Sequence, residues 1–160
     1  MKRSVLGLIA AAGATVAVAA GQVEVRFNDP QNYVDGDPRG GAPTRSVLNA
    51  FERYLVSAGS ARLSGAQTLS IVVLDIDLAG EINPLRPQGV RVMGAVTPPR
   101  IKLKYQISEN GRVFAEGEEL VTNPDYLTDA ASRTDGDPLF YEKRMLDAWF
   151  DRRIGTSAKE

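Results

Sequence analysis

Apolar and polar positions alternate along the chain in five stretches, each with its own period. Val23, Val25 and Phe27 alternate with Glu24, Arg26 and Asn28, the period of a strand that buries one face. From Thr44 to Ala58, the residues Val47, Leu48, Phe51, Tyr54, Leu55 and Ala58 recur at helical spacing, with Gly59 placed to cap the end. Residues 69–78, Leu-Ser-Ile-Val-Val-Leu-Asp-Ile-Asp-Leu, are aliphatic at odd and even positions alike, which predicts a central strand with apolar side chains on both faces. Residues 100–122 predict a hairpin, because Ile101, Leu103, Tyr105 and Ile107 alternate with Lys102, Lys104, Gln106 and Ser108 ahead of Glu109-Asn110-Gly111. Finally, Leu139, Tyr141, Met145, Leu146, Trp149, Phe150 and Ile154 give one broad helical face. Asp137 caps this helix, Pro138 opens its first turn, and Lys143 and Asp147 pair four apart on the wet side.

In chain order these elements predict an α+β fold, a two-layer sandwich. One mixed four-stranded sheet in β-α-β-β-β-α order carries two helices packed on one face. The first two strands, joined through a helix, run parallel. A plain two-residue Asn-Gly turn would set Tyr105 opposite Glu116 and Leu103 opposite Glu118, burying carboxylates at a cost. A three-residue turn with Gly111 left-handed avoids this. It places Ile107 opposite Val113, Tyr105 opposite Ala115 and Leu103 opposite Gly117, with Lys104 meeting Glu116 and Lys102 meeting Glu118 outside. Residues 29–43 and 123–136 are rich in Asp, Gly and Pro or in acidic and small residues, and are expected as loops, with Tyr126 and Leu127 tacked onto the core. Residues 79–99 form a long Pro- and Gly-containing connection with a short extended piece at Val90 and Val92, a candidate docking loop or lid.

The first residues change the picture of where the chain works. Lys2 and Arg3, an apolar run from Val5 to Val18 and the small-x-small Ala17-Val18-Ala19 are the features of a secretory signal peptide. The expected organisation is a signal peptide over 1–19, one α+β domain over 20–154 and a frayed tail over 155–160, with a periplasmic address. The apolar run is short for a bilayer, which needs about 20 apolar residues, so no membrane insertion is expected after cleavage. The chain has no Cys, which excludes disulfides and a lipid-modified cysteine. It has no His, which removes the commonest general base and metal ligand. Loss of Lys2 and Arg3 lowers the formal net charge of −1 by two, to −3, a balance that gives nucleic acid no electrostatic reason to bind.

Candidate chemistry is sparse. Asp35-Gly36-Asp37-Pro38 has carboxylates that calcium favours but lacks the full acidic ladder of a calcium loop, and a polar turn is the favoured reading. Asp75 and Asp77 lie two apart on one strand face, about 7 Å from each other, a spacing usable for acid–base work or a metal. If the even residues of this strand face the helices, the open side presents Ile71, Val73, Asp75, Asp77, Lys102, Lys104, Phe114, Glu116 and Glu118, flanked by Glu24 and Arg26. The lysines would then hold both aspartates ionised, as in a structural salt ladder. No catalytic residue, cofactor or metal is assigned.

Val25-Arg26-Phe27 with its following Asp-Pro, Leu74-Asp75-Ile76-Asp77-Leu78-Ala79-Gly80-Glu81, Thr97-Pro98-Pro99-Arg100-Ile101, Asp137-Pro138-Leu139 with Tyr141-Glu142-Lys143 and Met145-Leu146, and Trp149-Phe150 together carry a resemblance. The chain resembles the proteobacterial exported proteins grouped as domain-of-unknown-function family 3016, which implies a small secreted or periplasmic protein and no catalytic residues to carry over. The leading expectation is a non-enzymatic interaction module of the cell envelope that docks a protein partner on the open face or on the 79–99 connection. The alternatives are a carboxylate- or metal-dependent hydrolase using Asp75 and Asp77, and a carrier of a small apolar ligand.

Overall fold

A computed structural model describes residues 21–86, 90–128 and 136–155; the expected leader, its cleavage site and residues 156–160 of the tail lie outside the described residues. The elements are β1 (Gln22–Phe27), α1 (Arg45–Ser60), β2 (Gln67–Asp77), β3 (Glu81–Asn83), β4 (Val90–Val92), β5 (Arg100–Glu109), β6 (Arg112–Thr122) and α2 (Phe140–Arg153). Single 3-10 turns occur at Pro30–Asn32 and Tyr126–Thr128. The main sheet has the order β1-β2-β5-β6, with β1 parallel to β2 and the other pairs antiparallel. Both helices contribute to one core with the sheet, through Phe51 and Leu55 of α1 and Met145, Leu146, Trp149 and Phe150 of α2. The expected α+β sandwich is therefore the fold. The Pro/Gly-rich connection adds what its composition hides, a second, two-stranded ribbon of β3 and β4.

The central strand corrects the expected facing. Leu69, Ile71 and Val73, the odd set, are buried against the helices, and after Leu74 the burial switches to the even residues Ile76 and Leu78. The cause is a β-bulge: the register with β5 skips from Val73↔Leu103 to Asp75↔Lys102, leaving Leu74 unpaired. The extra residue lets both halves of β2 bury aliphatic side chains while Asp75 and Asp77 still turn outward. Ile71 and Val73 thus belong to the core, at 0% and 1% exposure, and not to the open face.

The hairpin is also corrected. Asn110 and Gly111 both have positive φ, 50° and 80°, and Glu109 pairs with Arg112, so the turn is the two-residue form. A bulge at Phe114 then shifts the register, placing Ile107 opposite Ala115, Tyr105 opposite Gly117 and Leu103 opposite Glu119. Inward parity is as expected, but each partner differs by two. The cost of turning Glu119 toward the helices is offset by Trp149 Nε1, which donates to it at 3.2 Å, and by Arg153 Nε at 2.7 Å.

Thr44 caps α1 by accepting from Val47 N at 3.4 Å. Gly59 is a buried helical residue, not the cap: a Cβ there would stand 2.9 Å from Val23 Cγ2, so its absence allows α1 to approach β1. At α2, Pro138 precedes the helix and Leu139 is the N-cap; Asp137 instead accepts from Leu139 N at 2.9 Å and pairs with Lys143. Lys143 is therefore not partnered by Asp147, which joins Asp151 on Arg62 at 3.1 and 2.8 Å. Tyr126 is buried as expected, whereas Leu127 is 42% exposed.

Gly117 reports the register directly, because a Cβ there would lie 3.1 Å from the Tyr105 ring. Gly117→Val, which adds a good strand former, is expected to destabilise by about 1–3 kcal/mol in urea melts through overpacking. A stabilised variant would place Tyr105 elsewhere.

Candidate functional site: the ribbon and the acidic end of the sheet

β1 and β2 run parallel, and beyond their C-terminal ends the chain folds back on itself. Asn28 N donates to Val73 O at 2.9 Å, the chain loops out, and Asp35 returns to pair with Asp77. That return is held by Asp35 N to Ile76 O and Leu78 N to Asp35 O, each 3.0 Å. Tyr33 Oη donates to Val73 O at 2.8 Å, and Asp75 Oδ1 accepts from Val34 N and Ile76 N, both at 2.9 Å. Asp75 is thus occupied in fastening the bulge and the loop together.

Arg91 of β4 fastens the ribbon to this end. Its Nε donates to Pro38 O at 3.2 Å; Nη1 reaches Gly80 O at 3.0 Å and Ala79 O at 3.4 Å; Nη2 reaches Asp37 O at 3.0 Å and Asp35 Oδ2 at 2.8 Å. One guanidinium, its side chain 9% exposed, therefore ties the 35–38 loop, the β2–β3 junction and β4 into a unit. The Asp35-Gly36-Asp37-Pro38 segment is a turn built around this arginine and Arg39. Burial opposes ionisation of Asp37, but the amide and guanidinium of Arg39 outweigh it and hold the carboxyl below its usual range.

From the other side, Glu142 of α2 reaches the same junction and accepts from Ala79 N at 2.7 Å. It is 2% exposed, and burial raises its pKa against the opposing effects of the amide and of Arg91. Gly80, at φ 78°, lies so close to β4 that a Cβ would be 2.5 Å from Val92 O.

Asp75 and Asp77 do share the open side with Lys102 and Lys104, as expected, but they are not held by those lysines. Lys102 and Lys104 both go to Glu118, at 2.9 and 3.5 Å, and Glu116 takes Gln106 at 3.1 Å. Asp77 instead faces Arg100 at 3.6 Å, and burial raises its pKa, with Asp35 and Asp75 adding to the rise. Asp35, Asp77 and Arg100 line a cavity of about 320 Å³. Val96 and Thr97 separate it from an apolar groove of about 350 Å³ over Pro84, Val92 and Met93. Among the described residues no three acidic, His or Cys side chains are placed to hold a metal ion.

Ten large apolar side chains are exposed among the described residues, and they are unevenly spread. Leu85, Val90, Val92, Met93 and Val96 belong to the ribbon and its flank, with Val34 beside them on the cavity wall. On the open sheet face, Val113, Phe114 and Leu120 lie along the outer strand beside the salt ladder. Sequence reasoning found the 79–99 segment but missed Arg91, whose place between two valines of a Pro/Gly-rich stretch resembles an exposed loop cation. It also missed Glu142, which a four-apart pairing argument passes over.

A sheet covered on one side by two helices, with a ribbon fastened across one end, makes this an α+β sandwich with an appended β-hairpin. A family model described as "Protein of unknown function (DUF3016)" matches residues 21–152, and the chain belongs to that family. No curated protein and no solved structure matches it. No helix among the described residues is long and apolar enough to cross a membrane.

Two outcomes follow from this geometry. Arg91→Met, which leaves the partly buried Asp35 carboxylate and the surrounding backbone carbonyls without their donor, is expected to cost about 3–5 kcal/mol, and adding Asp35→Asn should restore part of the loss; a double-mutant cycle in urea measures both. Glu142 has the opposite sign to a salt-bridged acid. Its native pKa is raised, so the native state binds more protons than the unfolded chain, and stability falls as pH rises from about 4.3 through the native pKa. Glu142→Gln, which keeps an acceptor for Ala79 N, should remove that fall in melts taken between pH 4 and 8.

Proposed function

We propose that this chain is an exported, non-enzymatic protein-interaction module of the cell envelope, and that the β3–β4 ribbon is its contact surface. The observation that carries this reading is the concentration of exposed aliphatic side chains on a short ribbon whose backbone is fastened by a buried arginine. An exposed apolar patch costs solubility unless a partner covers it, and a fixed backbone reduces the entropy lost on docking. The occupant is an extended, largely apolar segment of a partner protein, because Pro84, Val92, Met93 and Val96 line a groove of about 350 Å³ that both strands of the ribbon help to form. The basic leader and the Ala17-Val18-Ala19 pattern support export to the periplasm.

The hydrolase reading finds less support. Asp75 spends an oxygen on two backbone amides, which leaves Asp77 without a second free carboxylate on its own strand. The carrier reading requires room between helices and sheet, where Leu69, Ile71, Leu103, Trp149 and Phe150 are packed with no more than 1% exposure. The open sheet face is the weaker docking candidate, since its charges are largely matched to one another across β5 and β6.

Photo-crosslinking in cells tests the surface. A photoreactive residue at Val92 should capture one envelope protein, and Val96→Asp should reduce that product by at least about tenfold, the effect of placing a charge in an apolar contact. Capture from position 114 with none from position 92 would move the interface to the open sheet face. N-terminal sequencing of the periplasmic protein should begin at Ala20.

A further inference from the structure

β6 ends the main sheet on the side away from β1, and its outer edge is open. Among the described residues no strand pairs with it there, and no backbone group outside the sheet bonds to it. Such an edge is a template for another strand unless something blocks it. Three common blocks are absent, since β6 is 11 residues long and holds no proline and no lysine. Its one bulge lies at Phe114, so the strand from Ala115 to Thr122 keeps a regular register with β5. Phe114 and Leu120 stand on its outward side, 48% and 60% exposed.

In chemical terms the centre of β6 reads the same from both ends. Gly117 is the middle residue of the Arg112–Thr122 strand; Glu116 and Glu118 flank it, and Phe114 and Leu120 stand at equal distance to either side. Turned about Gly117 onto a second copy, the strand overlaps along its whole length and each Phe114 meets a Leu120. The smallest slip that keeps side chains on their own faces shortens the overlap and sets Phe114 against Glu118 or Thr122. Backbone length and apolar matching therefore select the same register. Glu116 then faces Glu118 of the second copy, but Glu118 already holds both Lys102 and Lys104, at 2.9 and 3.5 Å. These two lysines and two glutamates cancel, so neither copy brings net charge to the axis.

We infer that two copies of this chain pair through β6, antiparallel and centred on Gly117, so that their four-stranded sheets join into one. Main-chain hydrogen bonds along the open edge supply the affinity, and the two contacts between Phe114 and Leu120 fix the register. The interface goes beyond the ribbon as a docking surface and does not depend on it.

Sedimentation equilibrium of the purified protein should show monomer and dimer in exchange at concentrations up to millimolar. Leu120→Lys, which sets an ammonium against Phe114 of the second copy, should weaken the dimer by at least about tenfold. Glu116→Lys turns two like-charge pairs into opposite ones and should tighten it about tenfold, a gain that misfolding cannot produce. The chain has no Cys, so Arg112→Cys and Thr122→Cys each carry one spin label per copy without background. In the dimer both variants should give the same label separation, roughly 34 Å between backbones, from ten residues of strand at about 3.4 Å each. A protein that stays monomeric at millimolar concentration overturns the inference, and so does a dimer that Leu120→Lys or Glu116→Lys leaves unchanged. Unequal separations from the two labels overturn the pairing about Gly117.

Discussion

The hydrogen bonds of the Arg91 guanidinium are the interaction on which the ribbon end of this protein depends. Two three-residue strands have too little area to hold themselves in place. Arg91 supplies what packing cannot: five acceptors from two segments, the 35–38 loop and the β2–β3 junction, converge on one rigid, permanently charged group. Glu142 completes the arrangement from the helix layer by binding the Ala79 amide. The ribbon and its flank can therefore display Val90, Val92 and Val96 to solvent without collapsing onto the sheet.

The bulge at Leu74 has a comparable role within the sheet. Leu69, Ile71, Val73, Asp75 and Asp77 share one parity, yet a single strand face cannot be both core and carboxylate-bearing. The conflict is visible in the residues themselves. Two resolutions exist: expose Ile71 and Val73 beside the aspartates, or insert an extra residue between them. The protein takes the second, and burial of two aliphatic side chains, each worth about 1.5–3 kcal/mol, explains the preference. The bulge also turns Asp77 toward Asp35 and Arg100, so a packing requirement is what shapes the charged cavity.

The elements with strong periods were legible without coordinates. The α1 stripe, the alternation of β1 and β5, the parallel β1–β2 pair and the placement of both helices on one face follow from local pattern and short connections. What stayed hidden depended on single residues acting at a distance. The Phe114 bulge reverses the direction of a register shift that the carboxylate argument had correctly required, and Glu119 tolerates its inward position only because Trp149 and Arg153 arrive from a helix some thirty residues later. No local pattern marks Arg91 or Glu142 as buried, since both gain their partners from segments far away in the chain. Of the residues expected on an interaction face, Asp75, Asp77, Lys102, Lys104, Phe114, Glu116 and Glu118 do look outward, but the lysines serve Glu118 rather than the aspartates.

Native-state hydrogen exchange at the amides of Ala79 and Gly80 is the most direct measurement of the central claim, that the ribbon is fixed to the body of the domain. Ala79 N is bound by Glu142 and Gly80 N by Thr97 O at 3.0 Å. Both are expected to exchange as slowly as Val73 and Leu103 in the middle of the sheet, through global unfolding alone. Fast exchange of these two amides under conditions where the sheet stays protected would contradict it.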